Sequence, residues 1–279
     1  LQARAMVTVK GEVRSSANNG NGTKLTDYNG IIYPRLYDSQ TTVTTNGNGT
    51  DGNDKTGEPF TFKERTNLLY TAKDSIKNGE FSFQFKMPKE LNYSLESGYL
   101  NLYAGSLLNG EAYGACTNFI IGGMDNTVPE DNEGPVIHSM YLNTSGFKDG
   151  DLVNENPVFF AEIEDPSGIN LSGIGLGHDM TINIDNSVYT EYVLNDYFDP
   201  QSGTYGKGTV MYEIPELEDG YHTLTFKVWD TESNSSEKTI TFSTQKGIKP
   251  NIFDLCVNKN PVSDVARFYI EHDRPNTNM

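Results

Sequence analysis

Residues 221–230 read Tyr221-His222-Thr223-Leu224-Thr225-Phe226-Lys227-Val228-Trp229-Asp230 and contain a clear strand pattern. Leu224, Phe226 and Val228 alternate with polar residues, which is the two-residue period of a strand with one buried face. Between residues 165 and 186, glycine and asparagine occur where the backbone needs a positive φ to turn. The pattern predicts a β-sandwich with elaborate loops, and it contains no obvious catalytic apparatus.

Strand patterns on both sides of this stretch predict an all-β chain of two consecutive antiparallel β-sandwich domains. Seven short strands separated by turns indicate that residues 133–246 form an immunoglobulin-like sandwich. Residues 1–132 are expected to form the first sandwich. Residues 247–279 contain two further strands, which cannot bury a core alone. They therefore predict a short C-terminal β segment.

The strongest pattern of the first domain is the alternating run Phe81-Ser82-Phe83-Gln84-Phe85-Lys86-Met87. Its phenylalanines and methionine are expected to share a buried face, with Ser82, Gln84 and Lys86 in water. Cys116 lies in a strand-like run and is expected to be a buried free thiol. Residues 117–121 predict a strand. Residues 41–57 are rich in Thr, Asn, Gly and Asp and predict a long loop.

The composition excludes several classes of partner. The 279 residues carry 38 acidic and 21 basic side chains, a net charge of −17. Such a surface repels phosphate backbones and anionic lipid, so we expect no nucleic-acid partner. No apolar run approaches the length of a membrane helix, so direct membrane insertion is not expected.

Catalytic and metal chemistry find limited support in the sequence. Neither cysteine lies in a turn beside small residues, and no Cys or His cluster has zinc-ligand spacing. Calcium is the more reasonable ion, because Asp165, Asp179 and Asp230 all occur where strands give way to loops. Asn170 and Asn234 would add amide oxygens. The alternative is that these side chains only cap turns.

A surface adhesin or glycan-binding module is an alternative function. Tyr99 and Tyr103 share one face of a predicted strand, opposite Leu100 and Leu102. Exposed aromatic side chains with polar groups between them would form a binding groove. Trp229 is out of phase with the core residues of its strand, and a structural role is favoured for it.

Several segments resemble a known family in order and spacing. In the second domain they are Gly168-Ile169-Asn170, residues 175–179, Tyr192-Val193-Leu194-Asn195-Asp196-Tyr197 and Lys227-Val228-Trp229-Asp230. In the first domain they are Asp27-Tyr28-Asn29-Gly30-Ile31-Ile32-Tyr33-Pro34, Asn78-Gly79-Glu80-Phe81-Ser82-Phe83 and Gly122-Gly123-Met124-Asp125. Together they resemble the C-terminal, non-catalytic region of gingipain-related sortases of the type IX secretion system, the PorU-like proteins of Bacteroidetes.

The tail segment Asn258-Lys259-Asn260-Pro261-Val262 resembles the Asn-Pro turn that opens the C-terminal secretion-type domain of that system, with Lys259 in place of the usual first proline. By this resemblance, residues 247–279 are the incomplete start of such a domain.

The resemblance implies a cell-surface enzyme with a caspase-like cysteine-peptidase domain that lies upstream of the region matched here. Such an enzyme processes cargo proteins and anchors them to surface lipopolysaccharide, in association with an outer-membrane partner. The chain itself is then expected to be a non-enzymatic accessory region, exported through the periplasm to the outer membrane surface. No catalytic Cys or His is assigned to it.

Overall fold

The computed structural model describes residues 1–16, 22–47, 57–92, 94–173, 177–248, 252–257 and 267–272. Within these ranges the chain forms twenty β-strands and one 3-10 turn at Asn195–Tyr197, so the all-β prediction is confirmed. No helix among the described residues is long and apolar enough to cross a membrane.

The first sandwich is built from nine strands that surround a phenylalanine-rich core. They are β1 Met6–Glu12, β2 Gly30–Tyr37, β3 Thr41–Thr44, β4 Thr61–Glu64, β5 Leu68–Thr71, β6 Asp74–Ile76, β7 Glu80–Lys86, β8 Tyr99–Ser106 and β9 Gly110–Cys116. A sheet of order β5-β2-β8-β9, with β6 also paired to β2, forms one layer. The β1–β7 ladder forms the other, and β3 pairs with β4.

The second sandwich is built from nine further strands. They are β10 Val136–Leu142, β11 Leu152–Val153, β12 Val158–Glu164, β13 Thr181–Ile184, β14 Glu191–Val193, β15 Phe198–Pro200, β16 Lys207–Glu213, β17 Gly220–Trp229 and β18 Ser235–Thr244. One sheet has the order β10-β12-β16-β15 and the other β11-β18-β17-β13-β14. Only β11 with β18 is parallel among the described strand pairs.

The core of the second sandwich lies between these two sheets. Phe159, Phe226 and Phe242 are fully buried there. Leu224, Phe226 and Val228 all point inward, as the alternation predicts. The remaining strands, β19 Ile252–Val257 and β20 Phe268–His272, pair with each other. The tail segment 258–262 lies outside the described residues, and the predicted domain boundaries stay predictions.

Four predictions for the first sandwich are wrong. Lys86 is buried, because the second sandwich covers it. Cys116 is exposed, because it ends β9 at the edge of its sheet. Residues 117–121 form only one bridge, between Ser97 and Ile120, instead of a strand. Residues 41–44 are a strand rather than loop, since β-branched Thr and Val favour extended backbone.

Candidate functional site

Charged and polar side chains, most of them buried, meet where the two sandwiches touch. We call this cluster the joint; it consists of Arg4, Lys86, Asp131, Asp165, Ser167, Tyr205, Asp230 and Glu232. Strand β7 and the N-terminal segment bring the two cations, and the loops after β12 and β17 bring most of the carboxylates.

Glu232 connects the two sandwiches through ion pairs. Its Oε2 lies 2.8 Å from Arg4 Nε, and its Oε1 lies 2.6 Å from Lys86 Nζ. All three side chains are buried. The contact with Lys86 is an ion pair by proximity, because Oε1 has no aligned hydrogen-bond donor. The removal of one partner from such a group leaves an uncompensated buried charge.

Tyr205 crosses from the second sandwich into the first. Its hydroxyl accepts the backbone N–H of Lys86 at 3.0 Å and donates to the carbonyl of Ser167. Its ring packs against the first core beside Tyr70, with the ring centroids 6.4 Å apart. Gly168 makes room for it: φ is 97° there, and a Cβ would lie 2.4 Å from the Tyr205 hydroxyl.

Three carboxylates converge beside these ion pairs. One oxygen each from Asp131, Asp165 and Asp230 lies within 4.8 Å of the others. Burial raises the pKa of Asp165 to about 7, and the charges of Asp230 and Asp131 act in the same direction. Burial also raises the pKa of Asp230. By contrast, the Ser167 hydroxyl, which donates to Asp131, lowers the pKa of that carboxyl.

The joint contains more acid than base. Arg4 and Lys86 supply two positive charges, whereas the three aspartates and Glu232 supply four carboxyl groups. A proton on Asp165 or a bound cation would relieve the imbalance. Carboxylates are ligands that Ca²⁺ prefers, and Ca²⁺ takes six to eight oxygen atoms in all. The cluster offers a minority of that number, so the calcium prediction remains a prediction.

The structure brings together two of the three predicted calcium ligands. Asp165 and Asp230 lie in the joint, and Asn234 donates through Nδ2 to Asp230 Oδ2 at 2.8 Å. Asp179 lies outside this group and accepts a hydrogen bond from Asn195 Nδ2 at 2.8 Å. Asn170 caps its own turn by accepting from Ser172.

Sequence reasoning missed Asp131, Arg4, Lys86 and Glu232. Asp131 belongs to the acidic segment between the two sandwiches, which was interpreted only as a linker. Arg4 and Lys86 approach Glu232 from more than 140 residues away, so no local spacing signals the contact.

Three of the four histidines have carboxylate partners. His138, His178 and His222 each contact a carboxylate, of Glu164, Glu90 and Asp185 respectively. The His178 ring also packs against Trp229 at a tilt of 34°, with the ring centroids 4.2 Å apart. Both cysteines are exposed free thiols in strands. None of these three histidine–carboxylate contacts includes a cysteine.

Five tyrosines lie on the outer face of the first sandwich. We call this the tyrosine face; it consists of Tyr33, Arg35, Tyr37, Tyr99, Asn101, Tyr103 and Tyr113. The register of β2, β8 and β9 places Tyr33, Tyr103 and Tyr113 side by side, with ring centroids 5.7 and 5.3 Å apart. Arg35 and Asn101 pair in the same register, between the aromatic rows.

Four of the segments that carry the family resemblance contact one another in two pairs. Residues 27–34 and 78–83 meet where Asn78 N–H donates to Asn29 Oδ1 at 3.0 Å. Residues 168–170 and 227–230 meet where Asn170 N–H donates to Trp229 O at 2.9 Å. The resembling residues are therefore turns and strand ends that fix the architecture.

No protein-family model matches the chain, and no curated protein matches it. Among solved structures, the crystal structure of dimeric latent PorU from Porphyromonas gingivalis is 33% identical over 99% of this chain. This chain is similar to PorU. It spans 25% of the length of the PorU structure, and the TM-score is 0.47. The superposition therefore carries no argument about the fold, which rests on the sheets described above.

Proposed function

We propose that the chain is the non-catalytic C-terminal β-domain region of a PorU-like cell-surface sortase that processes and anchors type IX secretion cargo. The observation that carries the proposal is the pairing of the resembling segments. One pair meets inside the first sandwich and the other inside the second, where Gly168 and Asp230 border the joint. A stiff two-sandwich unit of this kind is suited to support an adjoining peptidase-like domain.

The strand order of the second sandwich favours the immunoglobulin-like assignment. Sheets of order β10-β12-β16-β15 and β18-β17-β13 correspond to strands A, B, E, D and G, F, C of that fold. β14 takes the position of strand C′, and β11 pairs beside strand G. We extend the proposal to location and partners: the outer membrane surface, an upstream peptidase-like domain and an outer-membrane secretion partner.

Two measurements test the proposed support role. The coding region upstream of Leu1 is expected to encode a caspase-like domain. That domain, produced separately, is expected to bind this chain with one-to-one stoichiometry in calorimetry. A different domain upstream would refute the sortase assignment, whereas the right domain without binding would refute only the support role.

The tyrosine face favours a second candidate function, a glycan-binding or adhesin module. A cavity of about 490 Å³ adjoins it and is lined by Tyr33, Arg35 and Tyr37 together with residues of the second sandwich. Aromatic rings beside a guanidinium and an amide are groups that stack on and hydrogen-bond to sugars. A glycan array with the wild type and a Tyr33→Ala/Tyr103→Ala variant tests this function. If the chain binds glycans through this face, the wild type should bind specific glycans on the array and the variant should not.

A further inference from the structure

Among the residues that the structure describes, no strand pairs with the outer edge of β9. β9 is the last strand of the sheet order β5-β2-β8-β9, and six of its seven residues are exposed. In an antiparallel ladder every second residue directs its N–H and C=O groups away from the partner strand. β9 therefore directs backbone donors and acceptors outward at alternate residues, although the Gly110 carbonyl already accepts a hydrogen bond from the Tyr28 hydroxyl at 2.8 Å.

This edge lacks most of the features with which sheets prevent further pairing, and its single charged side chain is Glu111. Natural edge strands carry lysine, proline or a bulge, or are very short. The run Gly110-Glu111-Ala112-Tyr113-Gly114-Ala115-Cys116 contains no lysine or proline, and its register with β8 is regular. By comparison, edge strand β10 has a register shift, β15 has three residues and a proline, and β1 carries Lys10.

A groove runs along the inner side of this edge. The cavity has a volume of about 570 Å³, and its apolar lining includes Leu25, Tyr28, Leu102 and Ala112. It exists because the two-stranded β1–β7 layer covers only part of the larger sheet. Gly110, Ala112 and Gly114 add little side-chain bulk, so another backbone can approach closely.

The charge at the edge selects the occupant. Glu111 accepts hydrogen bonds from the hydroxyls of Tyr113 and Tyr103, which lower the pKa of its carboxyl. Its carboxylate forms none of the ion pairs among the described residues. The groove lining also contains Arg14, but that side chain is paired with Glu12. Glu111 and the net charge of −17 together therefore make a basic segment complementary to this edge.

We propose that β9 is a docking site for an extended segment of a partner protein, which adds to the sheet as a further strand. Alternate apolar side chains of that segment enter the groove beside Ala112, and a lysine or arginine pairs with Glu111. This is recognition by strand addition, in which the backbone provides affinity and the pockets provide specificity. The inference does not depend on the sortase proposal.

A labelled peptide tests the proposal on the full chain. The probe has five alternating valine and threonine residues between two lysines, and its binding is followed by fluorescence anisotropy. We expect saturable binding and slower amide hydrogen exchange at residues 110–116. Ala112→Lys places a charge toward the groove and is expected to weaken binding at least about tenfold, or about 1.4 kcal/mol. Thr42→Lys, on exposed strand β3, is the matched control and should leave binding unchanged.

Three further results decide the assignment. A peptide with glutamates in place of the lysines should bind more weakly, and one with a central proline should not bind. Absence of saturable binding, or equal binding to Ala112→Lys with unchanged circular dichroism, would overturn the proposal. So would dimerisation of the chain alone that Ala112→Lys abolishes, because a second copy would then occupy the edge.

Discussion

The two sandwiches differ in how completely one sheet covers the other. In the second, a four-stranded and a five-stranded sheet cover each other, and its largest aromatic side chains are fully buried. In the first, a five-stranded sheet faces a two-stranded ladder, and Leu102 and Ala112 at its margin remain half-buried. The closed sandwich is thus built for stability, whereas the open one leaves an edge, a groove and a tyrosine face for contact.

The largest effect is expected where the two sandwiches depend on each other. Glu232→Ala should lower the free energy of unfolding by about 3–5 kcal/mol, because Arg4 and Lys86 lose their buried partner. Urea unfolding followed by Trp229 fluorescence and by circular dichroism measures this. Glu216→Ala breaks the exposed pair with Lys246 and should cost less than about 1 kcal/mol. Similar small losses for both variants would show that the joint does not couple the sandwiches.

Calcium provides the next test of the joint. If the carboxylates bind Ca²⁺, a hundredfold excess over the dissociation constant should stabilise the chain by about 2.7 kcal/mol. Thermal unfolding with calcium and with a chelator gives the answer. Asp131→Asn should abolish the response, whereas Asp179→Asn should preserve it, because Asp179 lies outside the cluster. An unchanged melting temperature of the wild type would retire the calcium prediction.

Tyr205→Phe is expected to cost about 1–3 kcal/mol, because the Lys86 N–H loses its hydroxyl acceptor and the Ser167 carbonyl keeps only the Thr231 hydroxyl as donor. The matched control is Tyr212→Phe, a half-buried tyrosine of the second sandwich, which should change stability by less than about 0.5 kcal/mol. Chemical denaturation of both variants distinguishes them. An equal response would mean that the Tyr205 hydroxyl does not connect the sandwiches.

Asp165 should make stability depend on pH. Because its pKa rises from 3.8 to about 7 on folding, its contribution is complete below pH 4 and is lost as the pH rises through 7. Asp165→Asn removes this dependence and keeps an acceptor for Ser167 N–H. The variant should therefore exceed the wild type at pH 8 by about 1–2 kcal/mol and lose that advantage at pH 5. Parallel stability curves across this range would contradict the prediction.

The smallest effect is expected on the open face. Tyr113 is 74% exposed, so Tyr113→Ala should change the free energy of unfolding by less than about 0.5 kcal/mol. Thermal unfolding measures this loss and compares it with that of Phe226→Ala in the core of the second sandwich, which should cost about 3–5 kcal/mol. A large loss at Tyr113 would mean that the tyrosine face contributes to stability as a core does.

The alternation of apolar and polar residues predicted which side chains are buried inside each sandwich. It did not predict which side chains are buried by contact between the two sandwiches. It correctly buried Phe81, Phe83, Phe85 and Met87, since their period reports one sheet and its own core. It left Lys86 in water because the residues that cover it belong to another sandwich. Likewise, Asp165 and Asp230 were recognised as loop residues at strand ends, but Asp131 could be added only once the fold brought its loop to them. Cys116 was misjudged because a strand-like sequence does not reveal whether the strand lies at an edge.

The position of Tyr205 matters for anyone who divides this chain. A cut between residues 132 and 133 would remove that ring from beside Tyr70 and expose apolar surface on the truncated first fragment. The same cut would leave Glu232 on the second fragment without its ion-pair partners Arg4 and Lys86. Expression of either half alone should therefore yield aggregation-prone material, and biochemical work is best done with both halves in a single polypeptide.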